Sequence, residues 1–186
     1  MRREIGPARA SITAFLGSCG SIHMPKKSAG LLLYRERRGF MEVFLVHPGG
    51  PFWAKKDDGA WSIPKGEFDA DEDPLDAARR EFQEETGFVV VGQYLPLTLV
   101  RQRGGKTVYA WAVRGDADAT MAKSNTFSIE WPHGSGTMRE FPEIDRADWF
   151  EVGVARRKIL KSQLPFLEQI EKLSARVVVR QKPNLR

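Results

Sequence analysis

The sequence predicts an α+β fold or an α/β/α sandwich. Three observations carry that expectation. Short apolar runs rich in strand formers recur between residues 29 and 150, a sharply punctuated helix lies among them at residues 74–86, and further helical patterns close the chain. Mixed strands with one central helix and one or two late helices fit an α+β arrangement or an α/β/α sandwich. The 186 residues fit one domain, and an apolar content of 41% is enough to build its core.

Taken in order, residues 29–34 (Ala-Gly-Leu-Leu-Leu-Tyr) and 41–47 (Met-Glu-Val-Phe-Leu-Val-His) read as two strands joined through a glycine-containing turn. Residues 48–59 form a Gly/Pro/Lys/Asp loop, and 61–64 a short strand stopped by proline. An acidic loop at 67–73 leads into the central helix. There Asp73 is a natural N-cap, Pro74 suits the first helical position, and Gly87 suits the position just past the end. Residues 88–91, 94–102 and 107–113 read as strands, the last two as a hairpin around Gly104-Gly105. Residues 127–131 and 137–141 predict another hairpin. Trp149-Phe150 ends a final strand, and 154–160 and 164–173 read as helices.

No stretch approaches the roughly 18 uninterrupted apolar residues of a membrane span. The one cysteine, Cys19, excludes an internal disulfide framework and fits a reducing, cytoplasmic setting. The net charge of +5 is unevenly spread: residues 67–85 hold nine acidic side chains against Arg79 and Arg80, while 172–186 hold five basic ones and no acid. A basic chain with one dense acidic knot suggests a cation site serving an anionic substrate. Residues 1–26 read as a disordered extension or an over-extended gene start, with Met24 as an ordinary start, and 171–186 as a basic tail. The run ending at Cys19 faintly resembles a lipoprotein signal. Its apolar core is short and contains Thr13, with Glu4 and Pro7 upstream, which counts against export.

The chemistry concentrates between Gly66 and Phe88. At 100° per residue Glu81, Glu84 and Glu85 share one helix face, while Leu75, Ala78 and Phe82 form an adjacent apolar stripe that can dock on the sheet. Three like charges in the C-terminal half of a helix oppose both each other and the macrodipole. A hard cation with oxygen ligands resolves that conflict, and Mg²⁺ binds through a few carboxylates plus substrate phosphates. A salt-laced exposed helix is the alternative that these glutamates alone would allow.

Gly66, Glu72, Arg80-Glu81-Phe82-Gln83-Glu84-Glu85 and Gly87-Phe88 together resemble, at every defined position, the signature box of the Nudix hydrolases. Trp61-Ser-Ile-Pro-Lys-Gly66 and the late Trp149 extend the likeness, so that residues 27–170 are expected to form the α+β Nudix fold, an α/β/α sandwich with a mixed β-sheet. The resemblance implies hydrolysis of a phosphoanhydride with Mg²⁺, for which Mn²⁺ can substitute. It implies Glu81 and Glu85 as metal ligands, Glu84 as a ligand directly or through water, and the Gly66 carbonyl beside them. Arg80 would orient a box glutamate, and Glu72 would brace the turn through Arg80. The general base is the family's least portable feature. Glu130, Glu140 and Glu143 are the downstream candidates, and Glu143 is favoured because diadenosine-polyphosphate hydrolases carry a glutamate at a similar distance before their late tryptophan.

Lys65, Lys56 and Arg101 are candidate phosphate contacts, with Lys55 and Arg103 as further candidates. Trp53, Tyr109, Trp111, Phe127 and Trp131 are the pool for stacking a base, though most serve packing in such folds. The histidines show no ligand spacing and receive no role. The resemblance places nucleoside diphosphate-linked or dinucleoside polyphosphates first as substrates, diadenosine-polyphosphate-like compounds above all. The alternatives are the 5′ end of RNA, to which the basic tail would contribute, and ADP-ribose or nucleotide sugars. A non-catalytic nucleotide-binding module typically loses box glutamates, and none is lost here. An isoprenoid diphosphate isomerase needs a core cysteine, and Cys19 lies outside the expected domain.

Overall fold

The computed structural model describes residues 26–102 and 105–180. In chain order the elements are β1 (Lys27–Arg37), β2 (Phe40–Pro48), β3 (Lys65–Glu67), α1 (Pro74–Thr86), β4 (Leu95–Arg101), β5 (Thr107–Arg114), β6 (Thr126–Glu130), β7 (Met138–Pro142), β8 (Ile144–Glu151), α2 (Val152–Lys158) and α3 (Leu164–Arg180). The main sheet runs β4-β5-β1-β2-β8, with β3 paired to the start of β1. β1 and β5 are parallel while the other neighbours are antiparallel, so the sheet is mixed as expected. β6 and β7 form a separate two-stranded hairpin.

Strand alternation divides the core in two. Leu31 and Leu33 of β1, with Phe44 and Val46 of β2, face Ala77, Ala78 and Phe82 of α1. Leu32, Val43 and Leu45 face the other way, against Ala155 of α2 and Phe166, Leu167 and Ile170 of α3. Two helical layers around one sheet make the α/β/α sandwich. α1 begins and ends where its sequence dictates. The Asp73 carboxylate accepts from the N–H groups of Leu75 and Asp76, and Gly87 takes a left-handed conformation while its N–H donates to the Gln83 carbonyl.

The differences from expectation have local causes. Residues 88–91 form no strand: Phe88 and Val90 pack against the α1 layer while Val89 and Val91 are exposed, so the alternation serves a packed coil rather than a ladder. Residues 61–64 contribute only isolated bridges, because the N–H of Ile63 is taken by the Gln163 side chain and Pro64 has none to offer. The three-residue β3, between the proline-stopped segment and the acidic loop, is too short to signal itself in the sequence. The last helix runs on to Arg180, well into the stretch read as a tail. The expected N-terminal extension with Cys19 and Met24, together with Arg103, Gly104 and the chain beyond 180, lies outside the described residues apart from Lys26. Among the described residues no helix is long and apolar enough to cross a membrane.

Candidate active site

β3 delivers the backbone of the site. Its pairing with β1 (Ala29 opposite Gly66, Gly30 opposite Lys65) lays Lys65-Gly66 beside α1, whose C-terminal half carries the glutamates. The Lys65 N–H donates to Oε2 of Glu85 at 2.8 Å. A methyl group added at Gly66 would lie 1.7 Å from Oε2 of Glu81, so only glycine lets that carboxylate pack on the strand. Gly66, Glu81 and Glu85, three residues the sequence singled out, are thus brought together. Glu84 stands at the rim, its side chain 42% exposed and its Oε2 accepting at 3.2 Å from the same Arg80 Nη1 that donates to Glu81.

Arg80 organises the rim. Its Nε and Nη2 both donate to the Glu72 carboxylate at 2.9 Å, and Nη1 donates to Glu81 at 2.6 Å. The bidentate pair holds the Arg80 guanidinium above its ordinary value and the Glu72 carboxyl below its own. Glu72 therefore braces the turn through Arg80, in the arrangement the sequence suggested.

Charge is crowded at the centre. Burial pushes the Glu81 carboxyl up, opposed by its bond to Arg80 and reinforced by the charges of Glu84 and Glu143. Burial likewise raises Glu85 to about 7, opposed by Lys65 and reinforced by Glu81 and Glu143. The Lys65 ammonium is lowered, chiefly by burial, against the pull of Glu85. Glu143, on the turn between β7 and β8, is thus close enough for its charge to be felt by both box glutamates. Glu130 and Glu140 are engaged elsewhere: Glu130 accepts from the Gly136 N–H at 2.5 Å, and Glu140 accepts from the Thr126 hydroxyl.

Among the described residues no three His, Cys, Asp or Glu side chains already stand at the spacing of a metal cage. The donors are nevertheless all oxygens, and their mutual repulsion is what a hard cation relieves. The set therefore fits a divalent ion held partly by substrate.

Beside Glu85 opens a cleft of about 230 Å³, lined also by Thr120, Ser124, Ile144, Asp145 and Arg146. Lys56 and Arg101 are not in contact with the box carboxylates. Lys56 places its ammonium 4.3 Å above the Trp53 ring, and Arg101 is exposed on β4 opposite Thr107. Tyr109 and Trp111 pack in the α1 layer, and Phe127 stacks on Phe141 within the hairpin.

Two features escaped the sequence reading. Glu67 lies between Lys26 (3.2 Å) and Lys106 (3.1 Å), and its carboxyl is lowered, first by the Lys106 bond. His47, assigned no role, is fully buried and paired with Asp145. The only sequence signal for the first was a glutamate directly after Gly66, and for the second a histidine ending an apolar strand.

The NUDIX domain family model matches residues 24–170, most of the chain, and the protein belongs to that family. The chain is accordingly a pyrophosphohydrolase, and Nudix hydrolases generally use divalent metal cations. No curated protein matches the sequence. Among solved structures the chain is similar to the Ap4A hydrolase of C. elegans in a binary complex, with 23% identity over 81% of this chain and 98% of that one and a TM-score of 0.54. It is also similar to the NUDIX domain of Shewanella oneidensis NrtR complexed with ADP ribose, at 18% identity, 83% and 89% coverage and a TM-score of 0.56. A mutT/nudix family protein from Listeria innocua shares the fold at 14% identity, 85% and 99% coverage and a TM-score of 0.54.

Proposed function

We propose that this protein hydrolyses a phosphoanhydride bond in a nucleoside diphosphate-linked or dinucleoside polyphosphate substrate, with diadenosine-polyphosphate-like compounds first. The observation that carries this reading is the gathering of Glu81 and Glu85 against the Lys65-Gly66 backbone, with the charge of Glu143 felt by both. Glu81, Glu85 and the Gly66 carbonyl would hold Mg²⁺, or Mn²⁺ in its place, with Glu84 reaching it through water. When bound, the ion neutralises charge on phosphate oxygens and activates the nucleophile.

The chain's own groups do the rest. Arg80 orients Glu81 while Glu72 holds Arg80 in place. Lys65, desolvated next to the carboxylates, offers its charge to a substrate phosphate, with Lys56 and Arg101 serving phosphates further out. Glu143 takes the proton of the attacking water, its side chain unengaged among the described residues whereas those of Glu130 and Glu140 are held by hydrogen bonds. The Ap4A hydrolase likeness supports the order of substrates. The ADP ribose bound by the Shewanella domain supports that compound as second, and the basic residues 172–186 support an RNA 5′ end as third. The single cysteine favours a cytoplasmic setting.

The test is hydrolysis of diadenosine tetraphosphate, ADP-ribose, nucleotide sugars and 5′-triphosphorylated RNA by the purified chain with Mg²⁺. Turnover is expected to be fastest on the dinucleotide and to vanish in excess EDTA. Undiminished turnover in EDTA rejects the mechanism, and a faster rate on another class reassigns the substrate.

A further inference from the structure

His47 is a fully buried polar side chain at the end of β2, where an apolar residue would fill the same space at no polar cost. Its Nδ1 lies 2.6 Å from Oδ1 of Asp145 and its Nε2 lies 2.9 Å from the Lys56 carbonyl, so both ring nitrogens face acceptors. The ring also stands edge-on to Trp61 at 5.3 Å, and the Trp61 Nε1–H donates to Asp57 at 2.8 Å. The loop after β2 is therefore pinned at two neighbouring points.

Asp145 can reach the ring because of a register slip. β2 and β8 pair residue for residue as far as His47 opposite Arg146, after which Pro48 pairs with Ile144. Asp145 is the extra residue of a β-bulge, a device that re-aims a side chain at a strand end. Glu143 lies two residues earlier and is tied to both flanks of this link. Its N–H donates to the Asn125 carbonyl at 2.8 Å, and its own carbonyl accepts from the Gly49 N–H, two residues past His47, at 2.8 Å. Ser124 completes the frame, its hydroxyl accepting from the Ile144 N–H at 3.0 Å.

We infer that His47 is a positioning residue: through the bulged Asp145 and the Lys56 carbonyl it fixes the turn that carries Glu143, whose neighbours Ile144 and Asp145 line the Glu85 cleft. Asp145 lines that same cleft, so the link runs from the buried core to the wall facing substrate. Glu143 is exposed, and among the described residues its side chain takes part in no hydrogen bond, so the anchored backbone sets the point from which that side chain reaches. A general base must sit within hydrogen-bond reach of the water it serves, and a displacement of about 1 Å can cost roughly 10²-fold in rate. The inference rests on the reading of Glu143 as the base.

The test is a double-mutant cycle on the full chain, with His47→Gln, Asp145→Asn and Glu143→Gln alone and in pairs. His47→Gln is expected to lower kcat at least roughly tenfold while KM and Mg²⁺ affinity, measured by calorimetry, stay within about twofold. Asp145→Asn should act in the same direction. In the Glu143→Gln background neither substitution should lower kcat further. Equal losses in both backgrounds, or a folded His47→Gln with unchanged kcat, overturn the inference and leave the base assignment standing. A Glu143→Gln protein with unchanged kcat overturns the base assignment, and the inference falls with it. If His47→Gln fails to fold, Asp145→Asn carries the cycle, because its side chain is 28% exposed and its loss leaves no core cavity.

Discussion

The two faces of the sheet come from one alternating pattern, yet they have been given opposite tasks. Behind α2 and α3 the layer is closed and apolar, with Phe166, Leu167 and Ile170 fully buried against Leu32, Val43 and Leu45. The α1 face buries Ala77, Ala78 and Phe82 as an anchor and then breaks the rules of a stable helix along its flank. Glu81 and Glu85 repel each other one turn apart, near a helix end that carries no basic residue in its last turn. Such a cost is tolerable when stability is supplied elsewhere. Local inconsistency concentrated at one place is also how a site stands out from its scaffold.

Substitutions on the two faces should therefore separate activity from stability. Glu85→Gln is expected to remove most turnover and Mg²⁺ binding while leaving the melting temperature unchanged or higher. The amide oxygen can still accept from the Lys65 N–H, and the repulsion with Glu81 and Glu143 disappears. Near-normal turnover by this variant, measured under saturating Mg²⁺, removes Glu85 from the metal site. Glu143→Gln should lower kcat by roughly 10²- to 10⁴-fold with KM little changed, as loss of a general base does, and Glu130→Gln and Glu140→Gln should do much less. If Glu143→Gln stays within a few-fold of wild type while Glu81→Gln is inactive, the base lies on α1. Phe166→Ala is the mirror image. It should cost about 3–5 kcal/mol of stability in denaturant titration while the folded fraction turns over normally. A specific loss of kcat in the folded Phe166→Ala protein would show that the two faces are mechanically coupled.

The same contrast explains what could be read from the sequence. α1 was legible from end to end because its determinants are local: Asp73, Pro74 and Gly87 act within one turn of the residues they serve. The apolar stripe and the glutamates follow from helical period alone. Leu31, Leu32 and Leu33 announced a buried strand without showing which face each would meet. What escaped depends on distant partners. The His47–Asp145 link joins residues 98 positions apart and needs a register slip that no local pattern announces. Glu67 finds Lys26 and Lys106 across 41 and 39 positions, through a three-residue strand too short to signal itself. Residues 88–91 misled for the opposite reason: their alternation is real but packs a coil, and nothing in a single segment reveals whether a neighbouring strand will pair with it.

The smallest expected effect is thermodynamic and probes the α1 face without any substrate. In the folded, metal-free protein the Glu85 carboxyl is raised to about 7 from an ordinary value of 4.5, mainly because burial disfavours its charged form. Between those values the folded state binds a proton that the unfolded state has released. Stability is then lost as pH rises, because unfolding sheds protons in that window. The contribution of the protonated side chain is complete below about pH 4.5 and gone once pH has risen through about 7. A divalent ion replaces that proton with a stronger counter-charge, so the Mg²⁺-induced rise in melting temperature should be small near pH 5 and grow by a few degrees toward pH 8. Glu85→Gln should flatten both the pH slope in EDTA and the pH dependence of the Mg²⁺ response, whereas Glu84→Gln, on the exposed rim, should alter neither by much. Melting curves recorded across this range with EDTA and with excess Mg²⁺ make the comparison. A Mg²⁺ response that is flat with pH in the wild-type chain would mean that the buried glutamate does not exchange its proton for the ion. The charge conflict on α1 would then belong to the helix alone, and its link to metal binding would be lost.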